Sequence, residues 1–303
     1  MSDWTPNIER LQEFDDGEWL RVERQYCGRL LAYVSRRVAD TQAREDIVQE
    51  TFLGSVRGIA NFDSLYTFEQ YLFGICRNRT IDHLRRNKTQ TIQSVTDSED
   101  LPGLEVLAKD DETPSRIVRG EDLARQARGL LVNVLRDWVQ ETWQQGEFVR
   151  LMVIEALFSG SWRNRDTWQR FELRDETAVA GIKFRALKRM RELAGKRDSA
   201  GKLLFSIKDE EDGIPEKLDY DVAQSWREGL VSCPARYWLA RMQAGTLPEG
   251  PKGFINFHLD EMKCEWCLAN QDDLVRAEQE LDPILDRVRA STVQYLRSKT
   301  LDA

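Results

Sequence analysis

The chain has 303 residues, of which 32% are charged, and a net charge of −8, with a mean hydropathy of −0.56. That length suffices for two or three domains, and no apolar run reaches the roughly 20 residues needed to cross a bilayer. Two histidines in the whole chain, with no phosphate-cradling glycine loop and no metalloprotease motif, offer no catalytic constellation, so a non-enzymatic role is expected.

The charge is unevenly spread. Residues 116–197 carry 17 Lys/Arg against 11 Asp/Glu, net +6, between flanks of net −7 each. Attraction to phosphates is therefore expected to be local rather than global. The N-terminal stretch 1–19 is acidic and lacks an apolar signal core, which points to the cytoplasm with no membrane partner. Of five cysteines, Cys27 and Cys76 sit in helical patterns and read as small core residues. Cys233, Cys264 and Cys267 crowd the C-terminal part near His258, where metal or redox chemistry is expected before disulfides.

Residues 4–40 read as helix, with Leu20, Tyr26, Cys27, Leu30, Leu31, Val34 and Val38 at helical spacing. Between Ala43 and Arg86 lie two helical patterns joined by a short aromatic loop. In the first, Val48, Phe52, Val56 and Ile59 form one apolar stripe, and Asp46, Glu50 and Arg57 lie opposite it with Gln49 flanking. In the second, Phe68, Leu72, Ile75 and Arg79 share a face, and the pattern ends in Arg77, Arg79, Arg85, Arg86 and Lys88. An acidic outer face beside a cationic end suits a protein partner on one side and nucleic acid on the other.

The run Asp46-Ile47-Val48-Gln49-Glu50-Thr51-Phe52-Leu53, followed by Phe62-Asp63, Phe68, Tyr71-Leu72, Arg77-Asn78 and Ile81-Asp82-His83-Leu84-Arg85-Arg86, resembles region two of bacterial sigma factors. The closest type is the extracytoplasmic-function (ECF) group. The resemblance implies that Asp46, Gln49, Glu50 and Thr51 meet a coiled-coil clamp on core RNA polymerase. It also implies that the loop 61–67 and the helix after it engage the −10 element of promoter DNA, with Phe62, Tyr66, Asn78, Arg79, Arg85 and Arg86 as candidates. Unstacked bases want aromatic platforms and cationic walls. Core packing competes with base contact for Phe62 and Phe68, whereas the arginines suit phosphates.

Residues 91–115 read as a linker rich in Ser, Thr, Asp and Glu with no persistent stripe. Residues 116–197 then read as a second helical domain. One stripe is Leu123, Ala127, Leu130, Leu131, Val134, Leu135 and Trp138, and another is Phe148, Leu151, Met152, Glu155, Ala156 and Leu157. A short helix over 166–172, a turn at Leu173-Arg174 and a longer helix over 175–194 make a helix-turn-helix. Val179, Ile182, Ala186, Met190 and Leu193 form its buried side, and Arg189 and Arg191 add charge to the rest. By the same resemblance this is region four, which engages the −35 element, with Thr177, Lys183, Arg185 and Lys188 as the DNA-facing set. The first turns of the longer helix read Ala180-Gly181-Ile182 where the family carries basic and polar residues, and Asp175 and Glu176 precede them. Backbone contact is therefore expected before base reading.

Residues 198–230 read as an acidic linker and 231–303 as a small helical C-terminal module. Cys233, His258, Cys264 and Cys267 are its candidate metal set, since thiolates and imidazole are ligands that zinc prefers. The module is similar to zinc-binding anti-sigma domains, where three residues separate the His from the first Cys. Here five intervene, placing His258 and Cys264 about 240° apart on a continuous helix, so either the helix breaks before Cys264 or the metal is lost. From Asp272 onward, Leu274, Leu281, Ile284, Leu285, Val288 and Leu296 mark a further helix that could dock on the module or on a partner.

The expected fold is thus all-α. Residues 1–90 form a region-two bundle and 116–197 a region-four domain, joined by a flexible linker and followed by the regulatory module. The expected function is that of an ECF-type sigma factor, with core polymerase and promoter DNA as partners and an anti-sigma factor as a further one. The rival readings are a zinc- or thiol-dependent anti-sigma-like regulator and a helix-turn-helix regulator that acts without polymerase.

Overall fold

The computed structural model describes residues 4–64, 66–91, 118–198, 216–276 and 280–301. It is all-α, with no strand among those residues. The helices are α1 (Ile8–Gln12), α2 (Asp16–Ser35), α3 (Thr41–Gly58), α4 (Phe68–Thr91), α5 (Val118–Gln144), α6 (Phe148–Phe158), α7 (Asn164–Arg170), α8 (Glu176–Arg197), α9 (Glu216–Glu228), α10 (Arg236–Gln243), α11 (Glu249–Asn256), α12 (Glu265–Leu274) and α13 (Asp282–Leu301). No described helix is long and apolar enough to cross a membrane. The expected linker 91–115 lies, beyond its first residue, outside the described residues.

The chain divides into two compact units. One comprises residues 1–112 and 268–303, the other residues 113–267.

In the first unit, local chemistry sets the helix ends. Phe14, at φ 58°, separates α1 from α2. The Asp15 and Asp40 side chains accept hydrogen bonds from the Glu18 and Ala43 amides at the starts of α2 and α3. Before α4, the Thr67 amide donates to Gln70 Oε1 at 2.8 Å and the Gln70 amide donates to Thr67 Oγ1 at 3.2 Å. This is the reciprocal capping box that T-x-x-Q encodes. The stripe Val48, Phe52, Val56 and Ile59 is wholly buried, with Trp19, Val22, Leu30, Val34, Leu72 and Cys76 around it. Cys27 and Cys76 are core residues, and burial pushes both thiols up to about 12. Helix α13 packs on α2 and α3. The C-terminal stripe thus docks within the first unit, on the helices of the region that precedes it.

In the second unit, α5, α6 and α8 surround Leu135, Trp138, Leu151, Ile154 and Val179. Arg189 forks onto Glu141 at 2.8 and 2.9 Å and Arg197 onto Asp137 at 2.6 and 2.8 Å, fastening α8 to α5. Two domain expectations change here. Residues 216–228, read as acidic linker, form α9, and its Val222, Ser225 and Trp226 are buried against α5 and α6. Residues 231–267 share a unit with residues 116–197 instead of standing apart. Three apolar or small residues at helical spacing sufficed to turn the end of a polar stretch into core.

Candidate functional site

On α3, the four residues expected to meet polymerase separate. Asp46 and Glu50 are exposed. Asp46 accepts from Gln42 Nε2 at 2.9 Å, and Glu50 lies 3.9 Å from Arg79 Nε, an exposed pair that contributes little to stability. Gln49 is half-buried and donates to Ser291 Oγ of α13 at 2.9 Å. Thr51 does not lie on that face. It is fully buried, and its hydroxyl donates to the Ile47 carbonyl at 2.7 Å. That bond back to the preceding turn satisfies the hydroxyl without water, so the threonine can serve as core.

The −10 candidates lie along the loop and α4. Phe62 is half-buried, edge-on to Tyr71 at 5.4 Å and tilted against Phe68 at 6.4 Å. Phe68 is buried among Trp19, Tyr26 and Tyr71. Tyr66, Asn78 and Arg79 are half-buried, while Arg85 and Arg86 are exposed on the last described turns of α4. The structure thus places Phe62 in an aromatic cluster and two of the three arginines in solvent.

The expected short helix, turn and longer helix are present as α7 and α8. Glu172 takes φ 51° in the turn, and Asp175 caps α8 by accepting from the Ala178 amide at 2.9 Å. Thr177, Arg185 and Lys188 are exposed. Lys183 points elsewhere, with its ammonium 5.8 Å from the Phe158 ring on α6. At 100° per residue it sits about 120° from Thr177, so it does not share their face. Phe184 does share it and is 59% exposed. A large aromatic in the open on a cationic helix is unusual, and no periodicity argument singles it out.

In the second unit, Cys233, His258, Cys264 and Cys267 bring one ligand atom each to within 4.8 Å of one another. The Sγ atoms of Cys233 and Cys264 are 3.6 Å apart, and His258 Nε2 is 3.2 Å from Cys267 Sγ. A tetrahedral zinc site has edges of about 3.5–3.8 Å for such ligands. The expected helix break supplies the geometry. Residues 257–261 form a π turn, Lys263 takes φ 52°, and the Cys264 amide closes onto the His258 carbonyl at 3.3 Å before α12 starts. Four protein ligands with none left open fit a structural rather than a catalytic metal.

The shell behind the cluster escaped sequence reasoning. Glu155 of α6 is completely buried, and its Oε1 lies 2.5 Å from His258 Nδ1. The same oxygen accepts from Ser232 Oγ at 2.6 Å, and Trp226 Nε1 donates to that hydroxyl at 3.0 Å. A carboxylate at Nδ1 turns the Nε2 lone pair toward the thiolates, the arrangement that orients histidines on metals. Burial alone would lower the His258 pKa, but the charges of Glu155 and Cys264 outweigh it and hold the imidazole well above its usual value. Hydrogen bonds from Cys233 and Cys267 pull the Cys264 thiol down, whereas burial raises Cys267. The available signal was a carboxylate on the apolar stripe of α6, a position that demands a buried partner.

The family model for Sigma-70 region 2 matches residues 24–90, which comprise most of α2, α3 and nearly all of α4. Residues in this chain are 31% identical over 70 positions to a protein of Haemophilus influenzae described as a probable RNA polymerase sigma factor. That match covers 23% of this chain and 36% of the relative's length, so the chain spans about a third of the curated relative it matches. No solved structure matches.

Proposed function

We propose that this chain is an RNA polymerase sigma factor of the ECF type, acting in the cytoplasm to bring core polymerase to promoters. The observation that carries the reading is the ordered match over residues 24–90 to Sigma-70 region 2. The exposed carboxylates of Asp46 and Glu50 agree with it, as do the exposed Arg85 and Arg86 on the neighbouring helix. In this reading α3 offers an acidic face to a polymerase helix, and the end of α4 with the 61–67 loop meets the −10 strand. The region-four role belongs to α7 and α8, whose exposed Thr177, Phe184, Arg185 and Lys188 would lie on duplex DNA at the −35 position. Arg185 and Lys188 would hold phosphates, and Phe184 has the chemistry to contact a thymine methyl. An anti-sigma factor would be a further partner.

The cysteine cluster is proposed to hold one structural zinc ion, with Glu155 and Ser232 as its supporting shell. It would make residues 231–267 a metal-dependent part of the same unit as α7 and α8.

Charge reversal tests the polymerase face. In Asp46→Lys, Glu50→Lys protein, affinity for core polymerase is expected to fall by about 10-fold or more, because like charges then meet across the interface. Thermal stability should stay within about 0.5 kcal/mol, as both side chains are exposed. Titration of labelled protein against core enzyme measures the first and a melting curve the second. Undiminished binding would place the interface elsewhere.

A further inference from the structure

The seam between α13 and the helices α2 and α3 bears directly on the proposed polymerase face. Helix α13 presents one apolar stripe, with Ile284, Val288, Thr292 and Leu296 all buried. Cationic side chains flank the stripe and reach acidic residues of the two helices beneath. Arg287 pairs with Glu45, and Arg289 pairs with Asp16 and, at 3.5 Å, with Glu23. Ser291 Oγ accepts from Gln49, and the Arg57 guanidinium lies 5.4 Å from the centre of the Tyr295 ring. Before α13 begins, Asp272 of α12 takes both arms of Arg36 at 2.8 and 2.9 Å.

Along α3 the contacts to α13 therefore fall on Glu45, Gln49 and Arg57. Asp46 and Glu50 are the next residues after the first two, each about 100° further around the helix. A helix is about 10 Å across with its side chains. A partner helix seated on Asp46, Gln49 and Glu50 would overlap the ground α13 holds, and Gln49 cannot serve both at once. The groove also has a definite chemistry: it is acidic at Asp16, Glu23 and Glu45, apolar between them, and filled by a cationic amphipathic helix.

The seam carries a weakness as well. Glu23 is wholly buried within this seam, where Arg289 and the Thr292 hydroxyl of α13 both reach its carboxylate. Burial costs this carboxylate more than those two partners return, so its pKa is raised, and exposure to water would recover the difference. The docked state is thus held by its stripe and ion pairs against a standing penalty, a balance suited to reversible release.

We propose that α13 occupies the α2–α3 groove as an intramolecular competitor of the polymerase helix, so that the chain binds core polymerase only when α13 lifts away. This rests on the polymerase-binding reading of α3. The apparent affinity is reduced by the fraction of molecules in which the groove is open, so anything that frees α13 activates binding without touching α3.

The test is backbone amide exchange over residues 282–298 in the full-length wild-type protein, alone and saturated with core polymerase. The proposal expects protection in the free protein that is lost in the complex. It also expects Val288→Asp, which puts a carboxylate into a fully buried position of the stripe, to bind core polymerase about 10-fold more tightly than wild type, the gain for a groove open in roughly a tenth of molecules. Arg287→Glu should act the same way, and adding Glu45→Arg should restore the weaker wild-type affinity by re-forming the pair. Protection of 282–298 that persists in the polymerase complex overturns the competition while leaving the sigma reading intact. Absence of binding by wild type and every variant instead overturns the sigma reading itself.

Discussion

Cys264→Ser, Cys267→Ser protein is expected to purify without zinc, while the wild type carries one ion per chain. The physical basis is that the four donor atoms already lie within 4.8 Å of one another, so little chain entropy remains to be lost on binding. Because metal binds the folded unit and not the unfolded chain, its removal is a loss of stability. At a free zinc concentration about 1,000 times the dissociation constant, that loss is about 4 kcal/mol, or on the order of 10 °C in Tm for a unit of this size. A chelator should lower the wild-type Tm by that amount and leave the double variant unmoved. Glu155→Gln should differ in kind, retaining zinc but binding it about 10- to 100-fold more weakly, as loss of an orienting carboxylate does elsewhere. Metal analysis with chelator-titrated melting curves distinguishes the three proteins. A wild type whose Tm ignores both zinc and chelator would show that the cluster is a set of packed thiols.

The second large effect is expected far from any surface. Trp226→Ala should destabilise residues 113–267 by about 3–5 kcal/mol, the cost of emptying a large aromatic site in a close-packed core. Trp226 is 1% exposed, sits 6.0 Å from the Trp138 ring and 5.8 Å from Phe158, and donates to Ser232 behind the cysteine cluster. The same substitution in a solvated linker would cost almost nothing. A denaturation midpoint measures the difference, and zinc affinity should weaken alongside it, since Ser232 loses the donor that positions it. An unchanged midpoint would return residues 216–228 to the role of tether.

These two results probe the parts of the protein that the sequence pattern read least well. Periodicity identified α3 and α4 because each carries a single stripe, and the T-x-x-Q box before α4 is a local signal that needs no tertiary knowledge. The His258–Cys264 spacing left a choice between a helix break and loss of the metal, and the chain does break, through a π turn and Lys263 at φ 52°, before Cys264. The second helical unit was legible as helices but not as a unit. A stripe says that a helix is buried, not against what. Thus α13 could be expected to dock, yet only the ion pairs from Arg287 and Arg289 to Glu45, Asp16 and Glu23 select α2 and α3. Helix α9 was masked by the acidic residues before it. Thr51 misled for another reason. Buried faces are wider than one row of residues, and a hydroxyl that bonds to its own helix counts as apolar.

The candidate site residues divide along the same line. Exposed carboxylates and arginines on α3 and α4 follow from pattern and resemblance. Glu155 lies 103 residues from His258 and Ser232 77 residues from Glu155 in sequence, and the three are linked only through packing. Lys183 lies off the exposed face of α8 that Thr177, Arg185 and Lys188 share, and Phe184 lies on it, because that face is set by which side packs on α5 and α6.

The central claim is that this chain directs core polymerase to promoters. Run-off transcription on a library of promoter fragments, with purified core polymerase and with or without the full-length protein, tests it most directly. The account predicts discrete transcripts that appear only when the protein is added, that diminish with Asp46→Lys, Glu50→Lys, and that increase with Val288→Asp. Core polymerase that yields the same products with and without the protein, including the Val288→Asp form, would contradict it.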